Sequence, residues 1–376
     1  MMNIAINGLF LSLKNTGGGR YLTDLVAGLQ PFGRNIKYFL FTNNNINRNK
    51  IVSNPFVETI DCGWMIRFRP SRILWENLIL PHVLNKRKID LLHAAGFTLP
   101  RRISCKSVIT IFDMTFFTMP QFHLASKVAY FQKMIPVALK RADMIIAISE
   151  QTKNDIIYTS GVTENKIKVI YVGIGKEFRI IDDKDAVERI KQKYGLPKKY
   201  ILFVGTIEPR KNITGLVSAY AKIKKNGCEH KLVVVGKRGW SYREIFTTIK
   251  NLNLENEVIF TGYVDAEDLP FIYNGASVFV YPSFYEGFGI PILEAMSCGV
   301  PVVTSNVSSL PEITGEAALL IEPENIEVMS ASIDKVLKDP DIANNMIQKG
   351  LDRAKLFSLE KMVKETVEVY NKVLFS

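Results

Sequence analysis

The stretch YPSFYEGFGIPILEAMSCGVPVV, residues 281–303, constrains the fold of this chain more than any other. The short apolar, β-branched run 276–280 before it reads as a buried strand. That strand breaks at Pro282-Ser283, and a loop of aromatics and glycines follows, closing on Gly287-Phe288-Gly289. Pro291 stands where a helix can begin, because the first helical positions have no N–H partner to lose. Ile292, Leu293, Ala295 and Met296 fill the helix, and Gly299 ends it as the residue that tolerates positive φ. Residues 300–304 then return as a strand. A glycine loop entering a helix N-terminus offers free N–H groups and the positive end of a dipole, which suits an anion.

The same grammar fills both halves of the chain. In the first, strands are read at 3–10, 36–42, 56–60, 89–93, 107–111, 144–148 and 167–172, with helices at 20–29, 75–84, 124–141 and 150–158. In the second, strands are read at 200–204, 232–235, 258–260, 276–280 and 300–304. Helices there are read at 213–225, 242–252, 267–273, 325–338, 341–356 and 359–374. Strands alternating with helices predict an α/β chain with two parallel, doubly wound sheets. A length of 376 residues is enough for two domains. Residues 173–184, two glycines and then charge, read as the linker, so the first domain is expected over 1–176.

Ligands of such sheets bind at the carboxyl ends of the strands. Gly17-Gly18-Gly19, Asp113, Arg210-Lys211 and Glu286 all follow predicted strands and would meet if the halves face each other. The triplet 17–19 reads as part of a turn, 15–19, ahead of a helix, a layout that can cradle phosphate. Asp113 fits either an acceptor-orienting carboxylate or an ordinary strand-end turn residue. Arg210 and Lys211 put a fork-shaped guanidinium beside a compact ammonium, a pair suited to a diphosphate. Spacing alone leaves a solvated basic pair equally open. Glu286 stands before the glycines of the 281–303 stretch, and Glu294 lies eight residues on, where a Glu also simply suits the helix dipole.

Composition excludes several classes. No run of eighteen apolar residues is present, so no membrane-spanning helix is expected. The first nineteen residues have no basic leader or small-residue cleavage site and read as a strand and loop, not a signal peptide. Cys62, Cys105, Cys228 and Cys298 are scattered, which predicts buried free thiols in a reducing compartment. The four histidines make no ligand pair, and no structural metal is expected. Asp183-Lys184-Asp185 has the spacing of a metal–diphosphate triplet, but it reads as a polar run leading into a helix. The net charge of +11 is lopsided: residues 1–176 hold 23 Lys and Arg against 10 Asp and Glu, and residues 177–376 hold 25 against 27. A basic first half predicts an anionic partner. Nucleic acid is not expected, because no recognition element concentrates the charge.

The segments FVGTIEPRKN, VVVGKRGW, VFVYPSFYEGFGIPILEAMSCGVPVVTS and SLPEITGEAALLI resemble those of the retaining nucleotide-sugar glycosyltransferases of family 4. The resemblance covers most of residues 200–322 and is looser over the first half. It implies the GT-B fold: two facing Rossmann-like domains with a cleft between them. The acceptor would sit on residues 1–176, completed by the last helix, 359–376, and the donor on 177–358. Arg210 and Lys211 would bind the donor diphosphate. Glu286 would be the first Glu of the family's E-x7-E motif and face the donor sugar. Glu294, the second, would take the ribose hydroxyls, contrary to its plain helical reading. The backbone of Phe288, Gly289 and Ile290 would contact sugar and phosphate. Gly205, Lys237 and Val264 would help bind the donor, the last two from loops near the base. The Gly17–Gly19 loop would approach the donor phosphates or the acceptor. One departure stands out: many members have His-Asp where this chain has Phe112-Asp113.

Within the family the closest likeness is to bacterial surface-polysaccharide enzymes that transfer mannose, rhamnose or related sugars. That implies a GDP-sugar donor before a dTDP- or UDP-sugar, with no metal required, and a glycan or polyprenyl-diphosphate-linked acceptor. It implies a cytoplasmic enzyme at the inner face of an anionic membrane, with Arg67, Arg69, Arg72, Lys86, Arg87, Lys88, Arg101 and Arg102 as candidates for the basic face. The alternatives are an epimerase or sugar phosphorylase on the same fold, or a basic nucleic-acid- or sugar-binding protein without catalysis.

Overall fold

The computed structural model describes the chain except residues 1, 10–16, 34, 44–53 and 241–242. The chain forms two units, Met1–Gly173 with Ser358–Ser376, and Ile174–Phe357. Each is built on an all-parallel sheet flanked by helices.

In the first unit the strands are β1 (Met2–Asn7), β2 (Ile36–Thr42), β3 (Val57–Asp61), β4 (Leu91–Ala94), β5 (Lys106–Ile111), β6 (Met144–Ala147) and β7 (Ile167–Val169). Their order is β3-β2-β1-β4-β5-β6-β7. In the second unit β8 (Tyr200–Val204), β9 (Lys231–Val235), β10 (Val258–Gly262), β11 (Val278–Tyr281), β12 (Val302–Ser305) and β13 (Ala318–Ile321) run in the order β10-β9-β8-β11-β12-β13. Both sheets wind outward from their first strand in two directions. Each therefore has a switch point, between β1 and β4 and between β8 and β11, where a crevice opens beyond the carboxyl ends. β8, β11 and β12 are buried along their whole length, which is why they read as continuous apolar runs rather than alternating ones.

Four features differ from the sequence expectation. Gly17, Gly18 and Gly19 are the first turn of the helix Gly17–Gly28, not a turn ahead of it; Asn15 and Thr16 lie outside the described residues. The helix expected at 75–84 is two helices, Arg69–Leu78 and Leu80–Lys86. Pro70 and Pro81 each sit in a first turn, the position where proline removes no helical bond and so starts a helix. Strand β13 was too short a run to stand out, and it completes the second sheet against β12. Cys62, Cys105 and Cys228 are half-buried, and only Cys298 is fully buried; all four are free. Residue 242 of the helix expected at 242–252 lies outside the described residues.

Asp183 caps the helix Lys184–Lys193, its Oδ1 accepting from the Ala186 N–H at 2.9 Å. The helix Leu359–Phe375 packs onto the first sheet through a buried polar chain. The Tyr370 hydroxyl lies 2.6 Å from His93 Nδ1, and His93 Nε2 lies 2.8 Å from the Thr110 hydroxyl, which meets the Tyr21 hydroxyl at 3.3 Å. Burial pulls the His93 imidazole down to about 3, so it is neutral within this network.

Candidate functional site

In the second unit β8 ends at Val204, and the chain turns through Gly205 into a short 3₁₀ helix, Pro209–Lys211. Asn212 follows in the left-handed conformation (φ 54°). Its Oδ1 caps the helix Ile213–Lys225 by accepting from the Gly215 N–H at 3.2 Å, and its Nδ2 donates to the Pro323 carbonyl at 2.6 Å. This double tether holds the two preceding cations in place. Across the switch point, β11 ends at Tyr281 and the loop to Gly289 passes beside them. The Phe284 N–H donates to the Arg210 carbonyl at 2.9 Å. Arg210 Nη1 donates to the Tyr285 carbonyl at 2.6 Å and stands 3.1 Å from Glu286 Oε2. Its Nη2 reaches Glu208 at 2.8 Å. Lys211 Nζ donates to Glu286 Oε1 and to the Tyr281 hydroxyl, each at 2.5 Å.

Lys211 and Glu286 are both buried, at 7% and 8% exposure, so the pairing is screened little by water. Burial pushes the Glu286 carboxyl up, but the charges of Arg210 and Lys211 outweigh it and hold the group at about 2. Burial also draws the Lys211 ammonium below its ordinary value, against the pull of Glu286. Because Glu286 ionises more readily folded than unfolded, its stabilisation is complete above its ordinary value of 4.5 and is lost as pH falls from there towards 2. The melting advantage of the wild type over Glu286→Gln is therefore expected to shrink across that window in a pH series of thermal melts.

The loop is clamped from its other side. The Glu286 N–H donates to the Ser308 hydroxyl at 2.9 Å, and the Ser309 hydroxyl donates to the carbonyls of Glu286 and Phe288 at 2.9 and 3.0 Å. Gly289 (φ 107°) begins the helix Ile290–Ser297. A Cβ there would lie 2.9 Å from the Leu310 side chain, so glycine meets both the φ and the space required. Phe288 is buried edge-on against Phe357, and Ile290 is half-buried at the helix start. Glu294 is 3% exposed and accepts from the Tyr273 hydroxyl at 2.7 Å.

Arg210, Lys211 and Glu286 are thus brought together, with Gly289 and Glu294 on the adjoining helix. Gly205 and Lys237 sit just past the ends of β8 and β9, and the Ile207 N–H donates to the Lys237 carbonyl at 3.0 Å. Val264 is buried beyond β10. Sequence reasoning missed Tyr281, Tyr273, Ser308 and Ser309. The one signal for Tyr281 was a polar tip ending the buried run VFVY.

In the first unit, Asp113 Oδ1 accepts from the Thr115 N–H at 3.0 Å and from its hydroxyl at 2.5 Å, turning the chain into the short helix Thr115–Thr118. It also lines a cavity of about 380 Å³ together with Phe112, Gly18, Arg69, Arg72, Glu76 and Tyr130. Phe112 stands edge-on to Tyr21, at 5.2 Å between ring centroids. The Arg69 guanidinium stacks on Tyr130 and Phe131, 4.8 and 4.7 Å from their centroids, and its buried Nη2 has no hydrogen-bond partner among the described residues. Asn7 Nδ2 donates to Glu76 at 3.1 Å, and burial pushes that carboxyl up. Arg69 and Arg72, expected on an outer basic face, turn into this cavity instead.

Residues 15–178 match a family model described as Glycosyltransferase Family 4, and residues 186–353 match one described as Glycosyl transferases group 1. O-antigen chain mannosyltransferase B of Escherichia coli is 37% identical over 303 residues, which span 80% of this chain and 77% of that one. Sucrose-phosphate synthase of Thermosynechococcus elongatus superposes with a TM-score of 0.81 at 24% identity, over 99% of both chains. Anabaena HepE, solved with UDP and glucose, superposes with a TM-score of 0.78 at 19% identity, over 99% of this chain and 100% of that one. At such identities these two likenesses speak to the fold, which is GT-B.

Proposed function

The chain belongs to the family 4 glycosyltransferases, and on that footing we propose that it moves mannose, or a related hexose, from a nucleoside-diphosphate sugar onto a growing or lipid-linked glycan of a surface polysaccharide. The observation that carries this reading is the buried junction of Arg210 and Lys211 with Glu286 at the switch point of the second sheet. A relative that is an O-antigen mannosyltransferase favours mannose, and so a GDP-sugar donor.

On this reading the donor diphosphate exchanges with the carboxylates now held by the two cations. Phosphate oxygens take the places of Glu208 and Glu286 on Arg210 and Lys211, and Glu286 turns to the sugar hydroxyls. The same cations then stabilise the charge that builds on the leaving diphosphate. Glu294, steadied by Tyr273, receives the ribose. The reaction retains configuration. An acceptor oxygen attacks the anomeric carbon on the face the diphosphate leaves, the carbon–phosphate-oxygen bond breaks, and the leaving phosphate takes the acceptor proton. No metal ion is needed, because Arg210 and Lys211 supply the positive charge. A covalent glycosyl–Glu286 adduct, sought by mass spectrometry of donor-treated enzyme, would rule this route out. Acceptor binding falls to the first unit, around Asp113 and the cavity beside it, and the protein works at a cytoplasmic membrane surface.

Thermal-shift binding across GDP, UDP, dTDP and ADP tests the donor site. A nucleotide at 100 times its Kd adds about 2.7 kcal/mol of stability. One nucleotide is expected to stabilise selectively, and Arg210→Ala/Lys211→Ala is expected to abolish the shift. Equal shifts in wild type and variant would remove the two cations from the donor site.

A further inference from the structure

In the first unit, one side chain braces two walls of the cavity. His123 follows the turn Pro120–Phe122, its N–H bonded to the Pro120 carbonyl at 3.0 Å. Its Nε2 lies 2.9 Å from the Thr115 hydroxyl, which donates to Asp113 Oδ1 at 2.5 Å. Thr115 is buried and has one hydroxyl proton, and the carboxylate takes it. His123 Nε2 must therefore carry a hydrogen and donate it. The chain runs one way, from imidazole to hydroxyl to carboxylate. Both hydrogen bonds to Asp113, from the Thr115 N–H and from its hydroxyl, end on Oδ1. Oδ2 accepts none among the described residues, although Asp113 lines the cavity. Half of the carboxylate's accepting capacity is thus left unused at a cavity wall.

The same imidazole starts a stack. It lies against Phe116 at 4.3 Å between ring centroids, and Phe116 stacks on Phe131 at 4.3 Å. The Arg69 guanidinium covers Phe131 at 4.7 Å, and both of these line the cavity. Gln132 Nε2 donates to the Phe116 carbonyl at 2.8 Å, which ties the helix Ala125–Arg141, bearing Phe131, to the short helix bearing Phe116. His123 therefore joins the Asp113 side of the cavity by hydrogen bonds and the Arg69 side by stacked planes. A stack alone would need only an apolar ring at this position, and a hydrogen-bond chain only a donor. Histidine supplies both.

We propose that His123 and Thr115 are positioning residues for the acceptor. Their chain anchors Asp113 through Oδ1 and presents Oδ2 to the cavity, while the stack fixes the Phe131–Arg69 wall relative to it. A carboxylate oxygen held this way takes a hydrogen-bond donor, so its ligand is a hydroxyl of the acceptor sugar. Asp113 meets that hydroxyl; His123 and Thr115 act through Asp113. The role rests on the acceptor site proposed above, and the direction of the chain does not.

The test is steady-state transfer from GDP-mannose to an α-linked mannobiose, with each substrate varied in turn. His123→Phe keeps a ring on Phe116 and removes the N–H; Thr115→Val keeps the shape and removes the hydroxyl. Each is expected to lower kcat/KM for the disaccharide about tenfold, the scale of one hydrogen bond lost from a chain, with KM for GDP-mannose unchanged. His123→Gln restores a donor N–H and is expected to fall between His123→Phe and the wild type. The double variant His123→Phe/Thr115→Val is expected to be no worse than Thr115→Val alone, because both break one chain. Unchanged acceptor kinetics, losses that multiply in the double variant, or losses shared equally by donor and acceptor would each overturn the proposal; the last would leave His123 a folding role only. Nitrogen NMR of isotope-labelled histidine, with the His123 signal identified by its loss in His123→Phe, is expected to show the neutral ring as the Nε2–H tautomer. The Nδ1–H tautomer overturns the chain with no acceptor present. Wild type that transfers nothing to the disaccharide removes the acceptor reading and this role with it, whereas an active wild type with unaltered variants removes this role alone.

Discussion

Glu286→Gln is expected to cut sugar transfer by roughly a hundred- to a thousandfold, the scale of removing one preorganised electrostatic group from a reacting centre. The carboxylate does two things at once. Before donor binding it holds Lys211 at 2.5 Å and Arg210 at 3.1 Å in a buried site. On the proposed reading it turns to the donor sugar during transfer. Gln keeps the shape and loses the charge, so two buried cations are left with less compensation. Removing one partner of a buried pair costs about 3 kcal/mol. Gln still accepts a hydrogen bond, and Glu208 still pairs Arg210, so the stability loss is expected at or below that figure. Initial rates with saturating donor, alongside thermal melts, separate the two losses. A variant within tenfold of wild-type kcat would remove Glu286 from the reacting centre.

The second large effect is on stability. Gly236→Ala is expected to destabilise by about 4 kcal/mol or more, in the range that only a defined steric fault produces. Gly236 has φ 146°, and a Cβ built on it would stand 1.9 Å from the Gly205 carbonyl oxygen. Neither backbone can retreat. The Gly205 N–H is bonded to the Val235 carbonyl and the Gly236 N–H to the Gly262 carbonyl, both at 2.9 Å. The clash lies between β8 and β9, at the ends from which the site loops spring. Gly227→Ala is the matched control: φ is also positive, at 84°, but nothing lies within 4 Å of its Cβ. It should lose only the left-handed backbone cost, about 1 to 2 kcal/mol. Urea unfolding of the two variants measures the difference, and equal losses would mean the Gly205–Gly236 approach relaxes freely.

Much of the second unit was legible because its signals are local. A strand, a breaking Pro-Ser, a glycine loop and a proline-started helix lie within residues 276–299, and the buried parallel strands read as plain apolar runs. Arg210, Lys211 and Glu286 were legible by position, each just past a strand. Their contacts were not, since nothing local says that Lys211 and Glu286 share Tyr281 as a neighbour. Ser308 and Ser309, which clamp the Glu286 loop, sit in a segment that reads as an ordinary turn. Glu294 shows the limit of pattern most clearly: the plain reading placed it where it suits the helix dipole, but the helix starts at Ile290, its first turn holds no acid, and Glu294 lies one turn in against the Tyr273 hydroxyl.

The first unit was read less well, for two physical reasons. Composition favours a turn at Gly17-Gly18-Gly19, but the helix that begins there is held by tertiary packing of Tyr21, Leu22, Leu25 and Val26, which outweighs the backbone cost of glycine. Charge counting assigned Arg69 and Arg72 to the outside. It could not see that the helix carrying them turns its polar side inward, because the usual rule of amphipathic helices runs the other way.

The helix Leu359–Phe375 gives the chain an unusual timetable. The first sheet is made first, yet Tyr370 is made only after the whole second unit, and His93 and Thr110 wait inside the sheet for that hydroxyl. The second unit, Ile174–Phe357, is uninterrupted in sequence and complete before that helix exists. During synthesis the second unit is therefore able to close before the first, so the nascent chain carries an open first sheet until the helix Leu359–Phe375 arrives.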